Sequence, residues 1–254
     1  MSEPSVLAPI RRARPLLHCI SNIVSANDCA NLALAVGASP IMALAVEEMA
    51  EITAKSSATV LNTGTPDAAK YEACLLCGAA AQKQNQPVVL DPVGVGASAW
   101  RLVQVQRLLA AFTPSILHLN LGEAQALLGD FGQEYGVDSV APAHATDTAQ
   151  AAAAALAQRL GTVVLLSGTA DIVTDGTRVE ICRGGSVRMA QVTGAGCMLS
   201  VVCGAFAAVQ PDAFTAAAQA AHFWKDCAAR AAFVAKGKGN ASFHTALLDA
   251  AALA

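Results

Sequence analysis

Four short apolar segments, each closed by a polar residue and set between helical patterns, constrain the fold of this chain more than any other feature. The segments cover 58–61, 87–90, 115–119 and 162–166, and they end at Asn62, Asp91, Asn120 and Ser167. Helical patterns cover 26–36, 47–56, 67–84, 99–111, 123–128, 147–160, 195–209, 213–235 and 243–253. Apolar strands that alternate with helices predict an α/β fold of three layers, α/β/α, with a mostly parallel sheet.

The chain also has a late hairpin signal, and it has no clear linker or internal repeat. Two β-prone segments, 172–174 and 178–182, flank Asp175 and Gly176, which are typical of a two-residue hairpin turn. Residues 130–146 are polar and irregular and are the expected excursion from the core. We therefore predict a single domain over residues 1–254, with antiparallel strands at one edge of the parallel sheet.

Composition excludes several classes of partner. The chain is 54% hydrophobic and 14% charged, its net charge is −3, and its longest basic block is Arg11-Arg12. Nucleic acid is therefore not expected as a partner. No apolar stretch reaches the roughly 18 residues of a membrane helix, and residues 1–14 lack the apolar region of a secretory signal. We expect a cytoplasmic protein without a membrane partner.

The eight cysteines lie mostly among aliphatic residues and are expected to be buried thiols. Cys74 and Cys77 form one CxxC pair inside a helical pattern, and no second pair follows at the spacing of a zinc site. We interpret both as core residues rather than as a metal or redox site.

Candidate functional residues gather where the strands end, which is the edge at which parallel sheets bind ligands. Asp91 closes one strand and Glu123 opens the helix after another. Two carboxylates on neighbouring loops suit a hydrated Mg²⁺ ion. Each has an ordinary alternative, because Asp91 also suits a turn and Glu123 also suits the first turn of a helix.

A glycine-rich turn, Gly194-Ala195-Gly196, precedes an apolar helical pattern over 198–209. Its amides and that of Cys197 lie at the expected helix start, where unpaired N–H groups and the helix dipole stabilise an anion. The simpler alternative is a turn that leads into a core helix. Together with the two carboxylates, the turn indicates phosphoryl transfer, and the absence of a Walker A motif excludes a P-loop enzyme.

Five segments resemble the hydroxyethylthiazole kinase family, and they occur in the order of that family. They are 17–22 (LHCISN), 37–43 (GASPIMA), 90–97 (LDPVGVGA), 120–123 (NLGE) and 192–197 (VTGAGC). The resemblance implies a ribokinase-like fold and a homotrimer with the substrate pocket between subunits. It also implies ATP- and Mg²⁺-dependent phosphorylation of the primary alcohol of 4-methyl-5-(2-hydroxyethyl)thiazole, in thiamine biosynthesis or salvage.

The resemblance assigns substrate and catalytic roles to a few residues. Met42 and Asn22 are expected to contact the thiazole, together with Gly194 and Cys197. The amides of the glycine-rich turn are expected to stabilise the transferred phosphoryl group. Cys197 lies where sugar kinases of the wider superfamily have the aspartate that acts as base. Since a helix start lowers the pKa of a thiol, Cys197 is expected either to accept the proton or to shape the pocket.

The resemblance also assigns the metal and nucleotide roles. Asp91 and Glu123 are expected to hold Mg²⁺ through water. His118, Asn120 and Ser167 are expected beside ATP. Most of the family has arginine where this chain has His118, and histidine is shorter and only partly charged at neutral pH.

Three alternatives to this function stay open. One is a cysteine-nucleophile enzyme that uses Cys197, although no motif designates its histidine partner. A second is a non-catalytic ligand sensor of the same fold, in which His118 marks the loss of phosphate contacts. The third is a kinase of this fold that acts on a different small alcohol.

Overall fold

The structure, a computed structural model, describes residues 5–129 and 145–254 and is built on one sheet. Within this part of the chain the sheet has eight strands in the order β2-β1-β3-β4-β5-β6-β7-β8. The strands are β1 (Leu16–Ile20), β2 (Ser39–Ile41), β3 (Ala58–Asn62), β4 (Val88–Asp91), β5 (Ile116–Asn120), β6 (Val163–Ser167), β7 (Asp171–Thr174) and β8 (Val179–Cys182). Strands β1 to β6 are parallel, and β7 and β8 extend the sheet antiparallel. The mostly parallel sheet with a late hairpin is confirmed.

Helices cover both faces of the sheet. They are α1 (Ala8–Ala13), α2 (Ala26–Val36), α3 (Met49–Lys55), α4 (Ala68–Lys83), α5 (Ala99–Ala111), α6 (Leu121–Leu128), α7 (Ala145–Leu160), α8 (Ala195–Ala207), α9 (Ala213–Val234) and α10 (Asn240–Ala252), with short 3₁₀ helices at Val46–Glu48, Val95–Ala97 and Val187–Gln191. Helices α1, α2 and α8 to α10 form one core with the sheet, and α3 to α7 form the other. Successive strand residues such as Ile116 and Leu117 enter opposite cores, so the three-layer architecture is confirmed.

The register of the strands brings their polar last residues to one edge. Asn62 pairs with Asp91 across β3 and β4, and Asn120 pairs with Ser167 across β5 and β6. Helix α8 packs on β3 and β4, so its glycine-rich start reaches the same edge. Gly204 permits this close packing, because a Cβ atom there would lie 2.5 Å from Cγ2 of Val60.

The structure corrects the expected hairpin. Thr174 pairs with Val179, so four residues rather than two connect β7 to β8. Oδ1 of Asp175 accepts hydrogen bonds from the amides of Thr177 and Arg178. This side-chain turn engages the amide of Arg178, so β8 begins at Val179, one residue later than expected.

Sequence patterning missed α1 and β1 and misplaced some helix ends. Strand β1 carries His18 at its centre, which breaks the apolar pattern. The buried imidazole has a hydrogen-bond partner at each ring nitrogen. Nδ1 lies 3.2 Å from Oγ1 of Thr53, and Nε2 lies 3.3 Å from the carbonyl oxygen of Ala43. Helix α10 begins at Asn240, three residues earlier than expected.

The polar excursion predicted over 130–146 falls almost entirely outside the described residues, which resume at residue 145 in α7. Among the helices that the structure describes, none combines the length and apolar character that crossing a membrane requires. The cysteines are free thiols; all are buried except Cys197, which is partly buried, and the CxxC pair lies in the core face of α4, as predicted.

Candidate active site

Asp91 lies at the centre of the polar edge and is 4% exposed. Its Oδ2 atom accepts hydrogen bonds of 2.7 Å from Nδ2 of Asn62 and from Oγ of Ser200. Among the described residues none donates to Oδ1. Burial raises the pKa of this carboxyl, while nearby His118 and the two hydrogen bonds act against the rise.

His118 lies behind Asp91 in the core. Its Nδ1 atom is 2.7 Å from Oγ of Ser200 and 4.0 Å from Oδ2 of Asp91, and the side chain is buried. Because the Ser200 hydroxyl donates to Asp91, its oxygen accepts the proton on Nδ1, and Nε2 is then the unprotonated nitrogen. No described residue bonds Nε2. Burial lowers the pKa of His118, so the imidazole is neutral at neutral pH.

The position of His118 bears on its expected contact with ATP. The imidazole lies beneath the glycine-rich turn, since a Cβ atom on Gly196 would be 3.8 Å from its Cε1 atom. The side chain is covered rather than open to the sheet edge. This placement favours a role in supporting Asp91 over direct binding of a nucleotide phosphate.

A chain of hydrogen bonds links Asp91 to the expected substrate residues. Oδ1 of Asn62 accepts from Nδ2 of Asn22 at 3.1 Å, and the same nitrogen lies 3.1 Å from Sγ of Cys197. Oδ1 of Asn22 in turn accepts from the amides of Val24 and Ser25, which fixes the orientation of the amide group. The structure therefore brings Asn22, Cys197 and Asp91 into one connected network.

Gly194 caps the start of α8 in the left-handed region, with φ of +81°. A side chain there would be strained, and its Cβ atom would lie 2.6 Å from Cβ of Ser25. The amide of Ala195 already donates to the carbonyl of Val192 at 3.2 Å. The amide of Ala195 is therefore engaged, and the amides of this turn that remain available to an anion are those of Gly194, Gly196 and Cys197, one fewer than the sequence suggested.

Cys197 does not have the lowered pKa that the sequence predicts. Burial raises the pKa of its thiol to about 11, and the negative charge of Asp91 contributes to the rise. Hydrogen bonds with Ser25, Asn62 and Asn22 offset only part of this effect. The prediction was wrong because it considered the helix start and neither the burial of the thiol nor the carboxylate beside it. The raised pKa also argues against a cysteine nucleophile.

Glu123 connects two loops at the same edge and is buried. Its Oε1 atom accepts from the amide of Gly94 at 2.7 Å, and its Oε2 atom accepts from the amide of Asn120 at 2.9 Å. The side chain of Asn120 accepts from the amide of Glu123, so the two residues form a capping box at the start of α6. The helix-start role of Glu123 is thus present beside any role toward a metal ion.

The remaining expected residues lie at the two ends of this edge. Met42 directly follows β2, is partly buried and packs against the core. Ser167 ends β6, and its hydroxyl donates to the carbonyl of Leu119 at 3.4 Å. Given the strand order, Met42 and Asn22, which are expected to contact the substrate, lie on one side of Asp91. Asn120 and Ser167, which are expected beside the nucleotide, lie on the other side.

The sequence interpretation missed three residues of the site as such. Asn62 was visible as a strand end, and Ser200 as the polar break in an apolar helix. Lys70 is nearly buried, and its ammonium group donates to the carbonyls of Ser21 at 3.0 Å and Gly64 at 2.7 Å. In the sequence Lys70 is a lone lysine in a helical pattern. Periodicity alone does not show whether such a lysine is buried or exposed.

Comparisons with known proteins agree with this geometry. A sequence model of the hydroxyethylthiazole kinase family matches residues 7–253. The hydroxyethylthiazole kinase of Listeria monocytogenes serotype 4a is 42% identical over 99% of this chain and 93% of that protein. The solved structure of the hydroxyethylthiazole kinase protein from Pyrococcus horikoshii OT3 is similar, with a TM-score of 0.88 and 34% identity over 98% of this chain and 91% of that one.

A more distant match bears on the fold alone. A ribokinase-like superfamily protein from Enterococcus faecalis V583 has a TM-score of 0.63 at 13% identity, over 99% of this chain and 90% of that one. The ribokinase-like fold expected from the sequence is therefore confirmed. Because both the family model and a relative at 42% identity cover nearly all of the sequence, the chain belongs to the hydroxyethylthiazole kinase family.

Proposed function

We propose that the protein transfers the γ-phosphoryl group of ATP to the primary alcohol of 4-methyl-5-(2-hydroxyethyl)thiazole, in thiamine biosynthesis or salvage. The order of residues along the strand ends supports this proposal most strongly. Met42 and Asn22 stand on the β2 side of Asp91, and Asn120 and Ser167 stand on the β6 side. An alcohol bound on the first side and a nucleotide on the second would meet at Asp91.

Mg²⁺ fits the donor set that meets at this point. Mg²⁺ prefers carboxylate oxygens, water and substrate phosphates, and Asp91 retains Oδ1 for such a ligand. Each carboxylate oxygen of Glu123 accepts a hydrogen bond from a backbone amide, and a carboxylate oxygen can accept more than one hydrogen bond. We propose that both residues hold the ion through water. When bound, the ion would neutralise charge on the phosphates.

The chain itself would contribute orientation and fixed dipoles. The amides of Gly194, Gly196 and Cys197 would receive negative charge that develops on the γ-phosphoryl oxygens. Asn22 would hold the thiazole side of the pocket through its bond to Asn62. Since the transition state of phosphoryl transfer is loose, positioning supplies most of the catalysis and a strong base is not required.

Cys197 and His118 take supporting roles in this proposal. With a pKa of about 11, the thiol stays protonated at neutral pH and contributes mainly by its shape and its contact with Asn22. His118 holds Ser200, which in turn orients the carboxylate of Asp91. Asn120 and Ser167 remain the proposed neighbours of ATP.

We further propose a homotrimer that completes the thiazole pocket, located in the cytoplasm. Apolar side chains beside the pocket loops support the assembly, because Ile23 is 83% exposed, Val24 61% and Leu44 49%. Such a group of exposed apolar residues is typical of an interface. The free thiols of the chain support a reducing compartment.

The test is ADP release with ATP, Mg²⁺ and a panel of small alcohols that includes the thiazole, pyrimidine alcohols and sugars. The proposal expects the highest kcat/KM with the thiazole alcohol. A preference for another alcohol would replace the substrate assignment. Binding of the thiazole without ADP release would instead favour the non-catalytic sensor.

A further inference from the structure

Three side chains that commonly bind metals meet at the β8 edge of the sheet, outside the network around Asp91. Glu180 and Cys182 are two residues apart in β8, so their side chains point to the same face. His222 of α9 covers that face, with Nε2 at 3.0 Å from Oε1 of Glu180. The carboxylate oxygen, the thiol sulfur and the imidazole nitrogen all lie within 4.8 Å of one another.

The three donors match one class of metal ion. One sulfur, one imidazole nitrogen and one carboxylate oxygen are the ligand types of Zn²⁺, whereas Mg²⁺ and Ca²⁺ prefer oxygen alone. Ligand atoms around a tetrahedral Zn²⁺ ion are about 3.3 to 3.6 Å apart, given bonds of about 2.0 to 2.3 Å. Small torsions of the two surface side chains would bring the donors to these separations.

We propose that Glu180, Cys182 and His222 bind a Zn²⁺ ion that joins β8 to α9, with a fourth position for water. The charges balance, because a thiolate and a carboxylate together neutralise the 2+ charge and the imidazole is neutral. Binding releases the thiol proton to solvent and forms a bond between sulfur and the ion. The proposal does not depend on the kinase function.

The surroundings of the three residues suit an ion that enters from solvent. The sulfur of Cys182 is buried, while the side chains of Glu180 and His222 are about half exposed, 45% and 49%.

Lys225, a positive side chain close to the three donors, already has a carboxylate partner of its own. Lys225 lies one helical turn after His222, and its ammonium group is 2.9 Å from Oδ1 of Asp171. The same group donates to the carbonyls of Gly168 and Thr169. The charge of Lys225 is therefore compensated by Asp171.

Cobalt substitution tests the site directly. The full chain, reduced and freed of metal, is titrated with Co²⁺ in the presence of excess Mg²⁺, which occupies oxygen-only sites. We expect a thiolate-to-cobalt charge-transfer band and the visible bands of tetrahedral cobalt, both abolished by one equivalent of Zn²⁺. Failure of the wild-type protein to give the thiolate band would overturn the proposal and leave an ordinary ion pair above a buried thiol.

Three variants and one control identify the ligands. Cys182→Ser should lose the charge-transfer band, and the surface variants His222→Ala and Glu180→Gln should weaken Co²⁺ binding by more than about tenfold. Cys203→Ser, which removes a buried thiol from α8 in the same core, should leave the titration unchanged. If Cys182→Ser does not fold, the two surface variants decide. Unchanged affinity in both of them would overturn the proposal.

Discussion

The hydroxyl of Ser200 donates a 2.7 Å hydrogen bond to Oδ2 of Asp91 and so joins the second turn of α8 to the end of β4. The bond aligns the start of α8 with the carboxylate that is proposed to hold Mg²⁺. The oxygen of Ser200 also accepts from Nδ1 of His118, so one hydroxyl holds two buried ionisable groups. The site is therefore ordered before any ligand binds.

Ser200→Ala should destabilise the protein and weaken the metal site. The variant leaves the Nδ1 proton of His118 and one lone pair of Asp91 without a partner in the core, which costs about 1–3 kcal/mol of unfolding free energy. In the wild-type protein the hydrogen bond from Ser200 lowers the pKa of Asp91. Without that bond the carboxyl should ionise less readily, so more Mg²⁺ should be needed. Urea unfolding and a Mg²⁺ titration of ADP release measure the two effects.

Thr59→Val is a matched control for Ser200→Ala. Thr59 is buried in β3, and its hydroxyl has no hydrogen-bond partner in the described chain. Removing that hydroxyl should leave stability unchanged or slightly increased. A similar loss of unfolding free energy in both variants would show that the hydrogen bonds of Ser200 do not stabilise the protein.

His118 should make the stability of the protein depend on pH below neutrality. Burial lowers its folded pKa, and His18 behaves likewise, so the unfolded chain binds more protons as the pH falls below the ordinary value of 6.5. Stability is therefore full above this pH and decreases below it, by up to about 1.4 kcal/mol per pH unit for each histidine. Asp91, whose pKa is raised, contributes with the opposite sign above its ordinary value of 3.8.

His118→Asn isolates this contribution, since its amide can still donate to Ser200. Unfolding free energies measured at several pH values between 7 and 5 should fall less steeply for the variant than for the wild-type protein. Equal slopes would contradict a neutral, buried His118 in the folded state.

Cys197→Asp should raise turnover modestly. At neutral pH the thiol is protonated, since its pKa is about 11, whereas a carboxylate at this position would offer a base to the substrate hydroxyl. A positioned base contributes about 10²-fold or more when proton transfer limits the rate. A loose transition state gains little from a base, so we expect turnover to rise by less than about 10²-fold.

Cys197→Ser is the comparison for this substitution, because it keeps the size of the side chain and adds no base. Initial rates of ADP release with the thiazole alcohol measure both variants. If Cys197→Asp is slower than Cys197→Ser, the residue acts only through the shape and polarity of the pocket, and the expected gain from a carboxylate base is wrong.

Lys70→Met should raise the KM for the thiazole by about tenfold or more, with little effect on the KM for ATP. The lysine joins the carbonyls of Ser21 and Gly64, and thereby the loops that carry Asn22 and Asn62. A hydrogen bond from a charged group contributes about 1.5–3 kcal/mol. Lys83→Met, at the exposed end of the same helix, should leave both constants unchanged. Equal effects on both substrates would contradict a role confined to the thiazole side.

Much of this site could be predicted because it follows from strand ends. Asn62, Asp91, Asn120 and Ser167 each end an apolar strand, and parallel strands deliver their ends to one edge. The positive φ of Gly194 was similarly implied by two glycines before an apolar helix. These features are local, so sequence pattern alone suffices to predict them.

The features that could not be predicted depend on contacts between distant segments. The burial of His118 depends on Ser200, 82 residues later in the chain, and periodicity does not show which strand face meets α8. The raised pKa of Cys197 depends on burial of the thiol and on the approach of Asp91, and both arise only in the folded protein. The CxxC pair shows the converse, because a conspicuous motif became ordinary core packing.

The most direct test of the proposed function is mass spectrometry of the products formed from ATP, Mg²⁺ and the thiazole alcohol. The wild-type protein should yield the thiazole phosphate in equal amount to ADP. Asp91→Asn is similar in size, and circular dichroism would verify that it folds; it should reduce this yield per unit time by about 10²-fold or more. Absence of thiazole phosphate with the wild-type protein, or an undiminished rate with Asp91→Asn, would contradict phosphoryl transfer at this carboxylate.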